Sequence, residues 1–217
     1  MTSTPPVRVD PLGDQAVLLT FGDHVDPAVN ARVAALARQL RRNPPDGVID
    51  IVPAYTTLAA WFDPARRRHD ELAAEMLERE AASHQAEPDA GRAWVIPVCY
   101  DGPDLDWVAA QTGLTPEDVV RRHTARRYTV FLLGFVPGFA YLGELDPALV
   151  LPRRSEPRRR VPAGSVAIAG AQTAVYPLET PGGWHLIGRT STRLFDPQRE
   201  PPALLAAGDT VRFTAER

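Results

Sequence analysis

The sequence predicts an α+β protein in two parts, a small α+β domain over residues 1–90 followed by a β-rich domain over residues 91–217. Three features carry that expectation. The first part alternates extended runs with two capped helical stretches. The segment Gln85-Ala86-Glu87-Pro88-Asp89-Ala90-Gly91 is polar and rich in helix breakers, the composition of a linker. From Tyr128 onward the chain becomes a succession of short apolar runs punctuated by glycine and proline, the pattern of a closed barrel or a sandwich.

Taken in order, Val7 to Phe21 holds two extended runs around the turn Pro11-Leu12-Gly13-Asp14. Asp26-Pro27 then opens a helix, because Asp is a good N-cap and Pro suits the first helical position. Val29, Val33, Leu36 and Leu40 fall on one face, and Asn43-Pro44-Pro45-Asp46-Gly47 ends the helix. Strands follow over Val48–Val52 and Thr57–Phe62. Asp63-Pro64 repeats the cap-plus-proline signal and is expected to open a helix through about Ser83, with Leu72, Met76 and Leu77 as apolar positions. Arg92 to Tyr100 is a strand that either returns to the first sheet or opens the second domain. Two short helices come next, Asp104 to Thr112 and one capped by Thr115-Pro116-Glu117-Asp118, whose acidic first turn complements the helix dipole.

Composition excludes several functions. A hydrophobic share of 44% and a charged share of 24% are ordinary for a globular protein, and no apolar run approaches the roughly 20 residues that cross a bilayer. The N-terminus lacks the basic start and apolar core of a secretory signal, and one cysteine rules out an internal disulfide; a cytoplasmic location is expected. A net charge of −3 argues against general nucleic-acid binding. All 24 basic residues are arginine. Without lysine the chain can supply neither the P-loop amine, nor a Schiff-base nucleophile, nor a biotin attachment point. ATP or biotin chemistry would therefore fall to arginine and backbone amides here, or to a partner.

Familiar catalytic signatures are mostly missing. Ser165 lacks the glycines of a nucleophile elbow, no metal-ligand spacing occurs, and Cys99 sits in an apolar strand where a structural thiol is the default. Arg153, Arg154, Arg158, Arg159 and Arg160 crowd into eight residues framed by Pro152 and Pro157. Such a loop is an anion clamp, a solvated loop, or a surface for an acidic partner. His123, near the end of its helix, is either a general base or a cap for the last carbonyls. Gln172 and Tyr176 have the amide and phenol that read a lactam or urea-like group, or else they pack. Phe135, Phe139, Tyr141 and Trp184 either wall a pocket or fill the fold. His185 is a weaker candidate, and His24, His69 and His84 are expected at the surface.

The glycine- and proline-rich turns Gly134-Phe135-Val136-Pro137-Gly138-Phe139, Val161-Pro162-Ala163-Gly164-Ser165-Val166-Ala167-Ile168-Ala169-Gly170 and Thr180-Pro181-Gly182-Gly183-Trp184 are the most specific motifs. With Leu12-Gly13-Asp14, Val52-Pro53-Ala54-Tyr55-Thr56-Thr57, Gln172-Thr173, Val175-Tyr176-Pro177 and Ala207-Gly208-Asp209, they closely resemble the 5-oxoprolinase B-subunit family. That family is also called the sporulation kinase inhibitor or allophanate hydrolase subunit 1 family, and is related to half of the carboxyltransferase domain of urea carboxylase. The resemblance implies a cyclophilin-like β-barrel in the second domain. It implies a subunit, inactive alone, of an ATP-dependent 5-oxoprolinase that opens 5-oxo-L-proline to L-glutamate. The implied partners are a sister carboxyltransferase-like subunit and a third subunit, with ATP held somewhere in the complex and no biotin on this chain. Family positions match Arg153 and Arg158 as substrate contacts, and the His-Thr dipeptide raises His123. The site expected is His123 and Gln172 as catalytic residues, Arg153, Arg158 and Tyr176 as substrate-binding residues, and no metal. The other family names keep open a urea-type carboxyltransferase and a non-enzymatic inhibitor of a histidine kinase.

Overall fold

The computed structural model describes residues 6–83 and 91–216, and the chain divides into two compact units, Met1–Ala90 and Gly91–Arg217. The linker expected over Gln85–Gly91 lies, but for Gly91, outside the described residues, as does His84.

The first unit runs β1 (Arg8–Pro11), β2 (Ala16–Thr20), α1 (Pro27–Arg42), β3 (Val48–Pro53), β4 (Thr57–Phe62) and α2 (His69–Ser83). Its four strands form an antiparallel sheet in the order β1-β2-β4-β3. Alternation sends Val17, Leu19, Leu58, Ala60 and Phe62 to one face, where they pack with Val33, Leu36 and Leu40 of α1 and Leu72 and Met76 of α2. Asp26 caps α1 through Oδ1, which accepts from the Ala28 and Val29 amides at 2.7 and 3.2 Å. Buried Asn30 donates to the carbonyls of Ala54 and Tyr55, so α1 holds the β3–β4 turn.

The Asp63-Pro64 signal is corrected. Asp63 caps only a turn, with its Oδ1 accepting from the Ala65 amide at 2.9 Å, and α2 begins at His69. There Asp70 and Glu71 occupy the first turn, and Glu71 accepts from the Arg68 amide. Leu77 stays exposed, and His69 is half-buried at an edge contact with Phe62.

The second unit runs β5 (Ala93–Cys99), α3 (Leu105–Thr112), α4 (Pro116–Thr124), β6 (Arg127–Leu133), β7 (Ala140–Gly143), β8 (Arg158–Val161), β9 (Ser165–Ala169), β10 (Gln172–Val175), β11 (Thr180–Gly182), β12 (His185–Arg189) and β13 (Thr210–Glu216). Seven strands close a barrel in the order β10-β7-β6-β13-β5-β12-β9, and β8 and β11 form a separate two-stranded ribbon. The Arg92–Tyr100 run thus becomes β5, a barrel strand lying parallel to β13. Buried Asp209 secures that pairing: its carboxylate accepts from the Arg92 amide, the Trp94 indole and the Ala206 amide at 2.8, 2.9 and 3.0 Å.

Strand β9 shows how the barrel acquires two packed faces. Val166 and Ile168 point into the barrel core with Tyr128, Val130, Leu142, Ile187 and Phe213, and α3 and α4 add Val108 and Val119 to that cluster. Ala167 and Ala169 point outward. Their small side chains, with Ala174 of β10, leave room for a second cluster of Phe139, Tyr176, Trp184 and Leu186 laid on the outside of the sheet.

Candidate functional site

The outer cluster holds Tyr176 and has Arg153 and Arg158 close by. On β10, Thr173 and Val175 are buried towards the inside, so Gln172, Ala174 and Tyr176 share the outer side. Tyr176 lies against Phe139, with ring centroids 5.2 Å apart, and Phe139 in turn meets Trp184 at 5.9 Å and Tyr141 at 5.0 Å. These rings pack on one another, with half-buried Tyr141 at the margin. Burial pushes the Tyr176 phenol above its ordinary value, while a hydrogen bond with the Trp184 backbone and the nearby Arg153 and Arg158 charges pull it back.

Arg153 is exposed and its guanidinium stands 5.8 Å from the centre of the Trp184 ring. Its neighbours are not equivalent. Arg158 Nη2 and Arg154 Nη1 donate to the same oxygen, Oδ1 of Asp104, at 2.7 and 3.3 Å, and exposed Arg160 pairs with Glu179. Among the described residues no carboxylate pairs with Arg153 or Arg159. The cluster thus separates into a braced pair and a free cation beside the aromatics.

His123 is the site residue that the structure places elsewhere. Its ring is fully buried inside the barrel, stacked on Phe213 at 4.7 Å. The Thr173 hydroxyl donates its one proton to the Ala167 carbonyl at 3.0 Å, so it must accept from His123 Nε2 at 2.9 Å. Nδ1 is then bare and accepts from the Tyr100 hydroxyl at 2.7 Å. Burial pushes the ring down to about 3 and lifts the Tyr100 phenol. Both nitrogens are occupied and the ring is neutral at physiological pH, which describes a bolt between α4 and β10 rather than a base facing substrate. Through Thr173 it fixes the strand that carries Gln172 and Tyr176.

Sequence reasoning missed Asp104, Tyr100 and Thr173. Asp104 was legible only as a helix start, and Tyr100 and Thr173 only as strand residues. Half-buried Cys99 stays in β5. His185 is buried, stacked on Trp107 at 4.5 Å, with Nε2 donating to the Pro152 carbonyl at 2.8 Å. Among the described residues no cluster of His, Cys, Asp or Glu could hold a metal ion, and no helix is long and apolar enough to cross a membrane.

The glycine-rich turns converge beside this face. Gly138 (φ +79°) and Gly164 (φ +82°) adopt a conformation that disfavours side chains, and a Cβ on them would meet Phe195 Cβ at 2.7 Å and the Thr190 carbonyl at 2.4 Å. These close approaches shape a cleft of about 450 Å³ bordered by Gly164, Tyr176, Leu178, Thr192 and Phe195. A second hollow of about 360 Å³ lies along Leu133–Gly138. At its rim Phe135 is 60% exposed with φ +71°, a strained conformation for an aromatic residue.

The family model for the carboxyltransferase domain, subdomain C and D, matches residues 7–205. The chain belongs to that family. Two relatives, each named as the B subunit of 5-oxoprolinase, are 41% identical (Bacillus subtilis, strain 168; 95% of this chain, 91% of that one) and 44% identical (Escherichia coli O157:H7; 95% and 94%). The crystal structure of TTHA0988 superposes with a TM-score of 0.85 at 44% identity; it covers 94% of this chain, which spans only 40% of that longer one. The Kluyveromyces lactis urea amidolyase, at 19% identity, 98% coverage of this chain and 15% of its own, shares the fold with a TM-score of 0.74. In this carboxyltransferase-domain family member, the arginine loop, the outer aromatic cluster and the glycine-rich turns form one continuous region of the second unit.

Proposed function

We propose that this chain is the barrel subunit of an ATP-dependent 5-oxoprolinase, acting with a sister carboxyltransferase-like subunit and a third subunit to open 5-oxo-L-proline to L-glutamate. The observation that carries the reading is the 41–44% identity to proteins named as the B subunit of 5-oxoprolinase across 95% of the chain. The geometry supports a substrate contact. Arg153 over Trp184 offers a carboxylate two parallel hydrogen bonds beside an apolar wall. Gln172 on the same face supplies an amide that can donate to the lactam carbonyl and accept from its N–H. Tyr176 anchors the wall, and Arg158 acts from behind through its pair with Asp104.

Ring opening adds water across the lactam C–N bond, and ATP supplies the driving force. This chain has neither lysine nor a Walker-type loop, so ATP is held by arginine and backbone amides or by a partner, and the part we assign to the face around Arg153 is to bind and orient the substrate. The test is to co-express the three subunits and measure glutamate from 5-oxo-L-proline with and without ATP, omitting each subunit in turn. ATP-dependent glutamate that disappears with this chain supports the reading; an assembled complex without turnover refutes it.

A further inference from the structure

We infer that Asp104 is a positioning residue of this site, bracing the arginine loop so that Arg153 stands over Trp184 to meet a ligand carboxylate; the inference rests on the substrate reading above. Asp104 is only 4% exposed and is fixed to β12 in both directions: its amide donates to the Leu186 carbonyl at 3.0 Å, and its Oδ2 accepts from the Leu186 amide at 2.7 Å. It stands at the start of α3, yet its side chain makes no capping bond to that helix. The carboxylate is turned instead towards Arg154 and Arg158.

Those contacts bear on Arg153 from both sides. Before it, the Pro152 carbonyl accepts from His185 Nε2 at 2.8 Å. After it, Arg154 donates its amide to the Gly183 carbonyl at 2.8 Å and its side chain to Asp104. Gly183 and His185 flank Trp184, so the backbone around Arg153 is pinned to the two residues around the ring that it covers. Asp104 pairs with two guanidiniums, Arg154 and Arg158, and the Arg153 charge beside Trp184 is matched by neither of its oxygens. Arg154 Nε and Arg158 Nη1 are buried without a protein partner, so the network is not a saturated structural ion pair.

The experiment is a double-mutant cycle in the assembled three-subunit complex, measuring KM and kcat for 5-oxo-L-proline with Asp104→Asn, Arg153→Ala and both. Arg153→Ala is expected to raise KM by about tenfold or more at nearly unchanged kcat, the mark of lost substrate binding. Asp104→Asn is expected to raise KM by about tenfold alone and by less than about twofold when Arg153 is already Ala. A merely structural defect lowers the amount of active complex, and so the maximal rate, at unchanged KM. An unchanged KM in Arg153→Ala overturns the substrate reading and this inference with it. A raised KM in Arg153→Ala beside a normal one in Asp104→Asn, or full additivity, overturns the positioning role alone. If Asp104→Asn does not assemble, Arg154→Gln, which removes one of the two braces, enters the same cycle under the same criteria.

Discussion

Replacing His123 by Phe separates a buried structural ring from a catalytic base. The substitution keeps most of the ring volume against Phe213 and Tyr128 but deprives the Tyr100 hydroxyl of its acceptor at 2.7 Å. A buried donor left without a partner costs about 1–3 kcal/mol. Tyr100→Phe alone strands the lone pair on Nδ1 at a similar cost. The double variant removes both partners, so its loss should fall short of the sum by about 1–2 kcal/mol. Protonation adds a second signature. The folded ring titrates at about 3, whereas an unfolded histidine titrates near 6.5. Between those values the unfolded chain binds the extra proton, so stability is fully present above the higher value and falls as pH drops. From pH 7 to pH 5 this one group should remove about 2 kcal/mol. Urea denaturation of wild type, both single variants and the double at the two pH values measures all of it. Additive losses, or a Phe variant whose pH dependence parallels wild type, would refute the neutral, doubly bonded ring.

Three further outcomes are expected. Asp209→Asn should destabilise the chain by about 3 kcal/mol in denaturant melts, because one amide oxygen cannot accept all three N–H groups that the carboxylate holds. At Phe135, the Gly variant should be more stable than the Ala variant by about 1 kcal/mol, since glycine relieves the φ of +71° that alanine retains; equal melting midpoints would show that no strain resides there. Gly182→Ala places a Cβ 2.3 Å from the Tyr176 hydroxyl and should cost about 1–3 kcal/mol. Tyr176→Phe in the same chain should restore only part of that loss, because it removes the hydroxyl but leaves the ring Cζ and Cε1 at 2.8 and 2.9 Å.

Much of the fold is legible because local rules act alone at the elements concerned. Asp26-Pro27 reads as a helix start and is one, with both capping bonds made. Asp63-Pro64 reads identically and yields a turn, because Arg67 and Arg68 follow it outside helical structure and the acidic pair Asp70-Glu71 offers a better start. In β9, the Val-Ala-Ile-Ala alternation shows a period of two, but only the structure reveals why the small residues face outward: aromatic rings from Phe139, Tyr176 and Trp184 lie on them.

The site was legible as residue types and not as roles, since roles depend on partners far away in sequence. Five arginines in eight residues look alike on paper. Asp104, 54 positions before Arg158 and 50 before Arg154, is what makes two of them a brace and leaves Arg153 as the unpaired cation beside Trp184. The same holds for His123, whose helix-end position fits a base or a cap equally well. Its tautomer follows from Thr173, 50 residues later, because that hydroxyl gives its single proton to Ala167, and its neutral state follows from burial. In both cases a buried side chain from another element decides what its partner presents. Charge at this site is therefore a property of the closed barrel, and variants that loosen β12 against Asp104 should disturb Arg153 even though they touch none of its atoms.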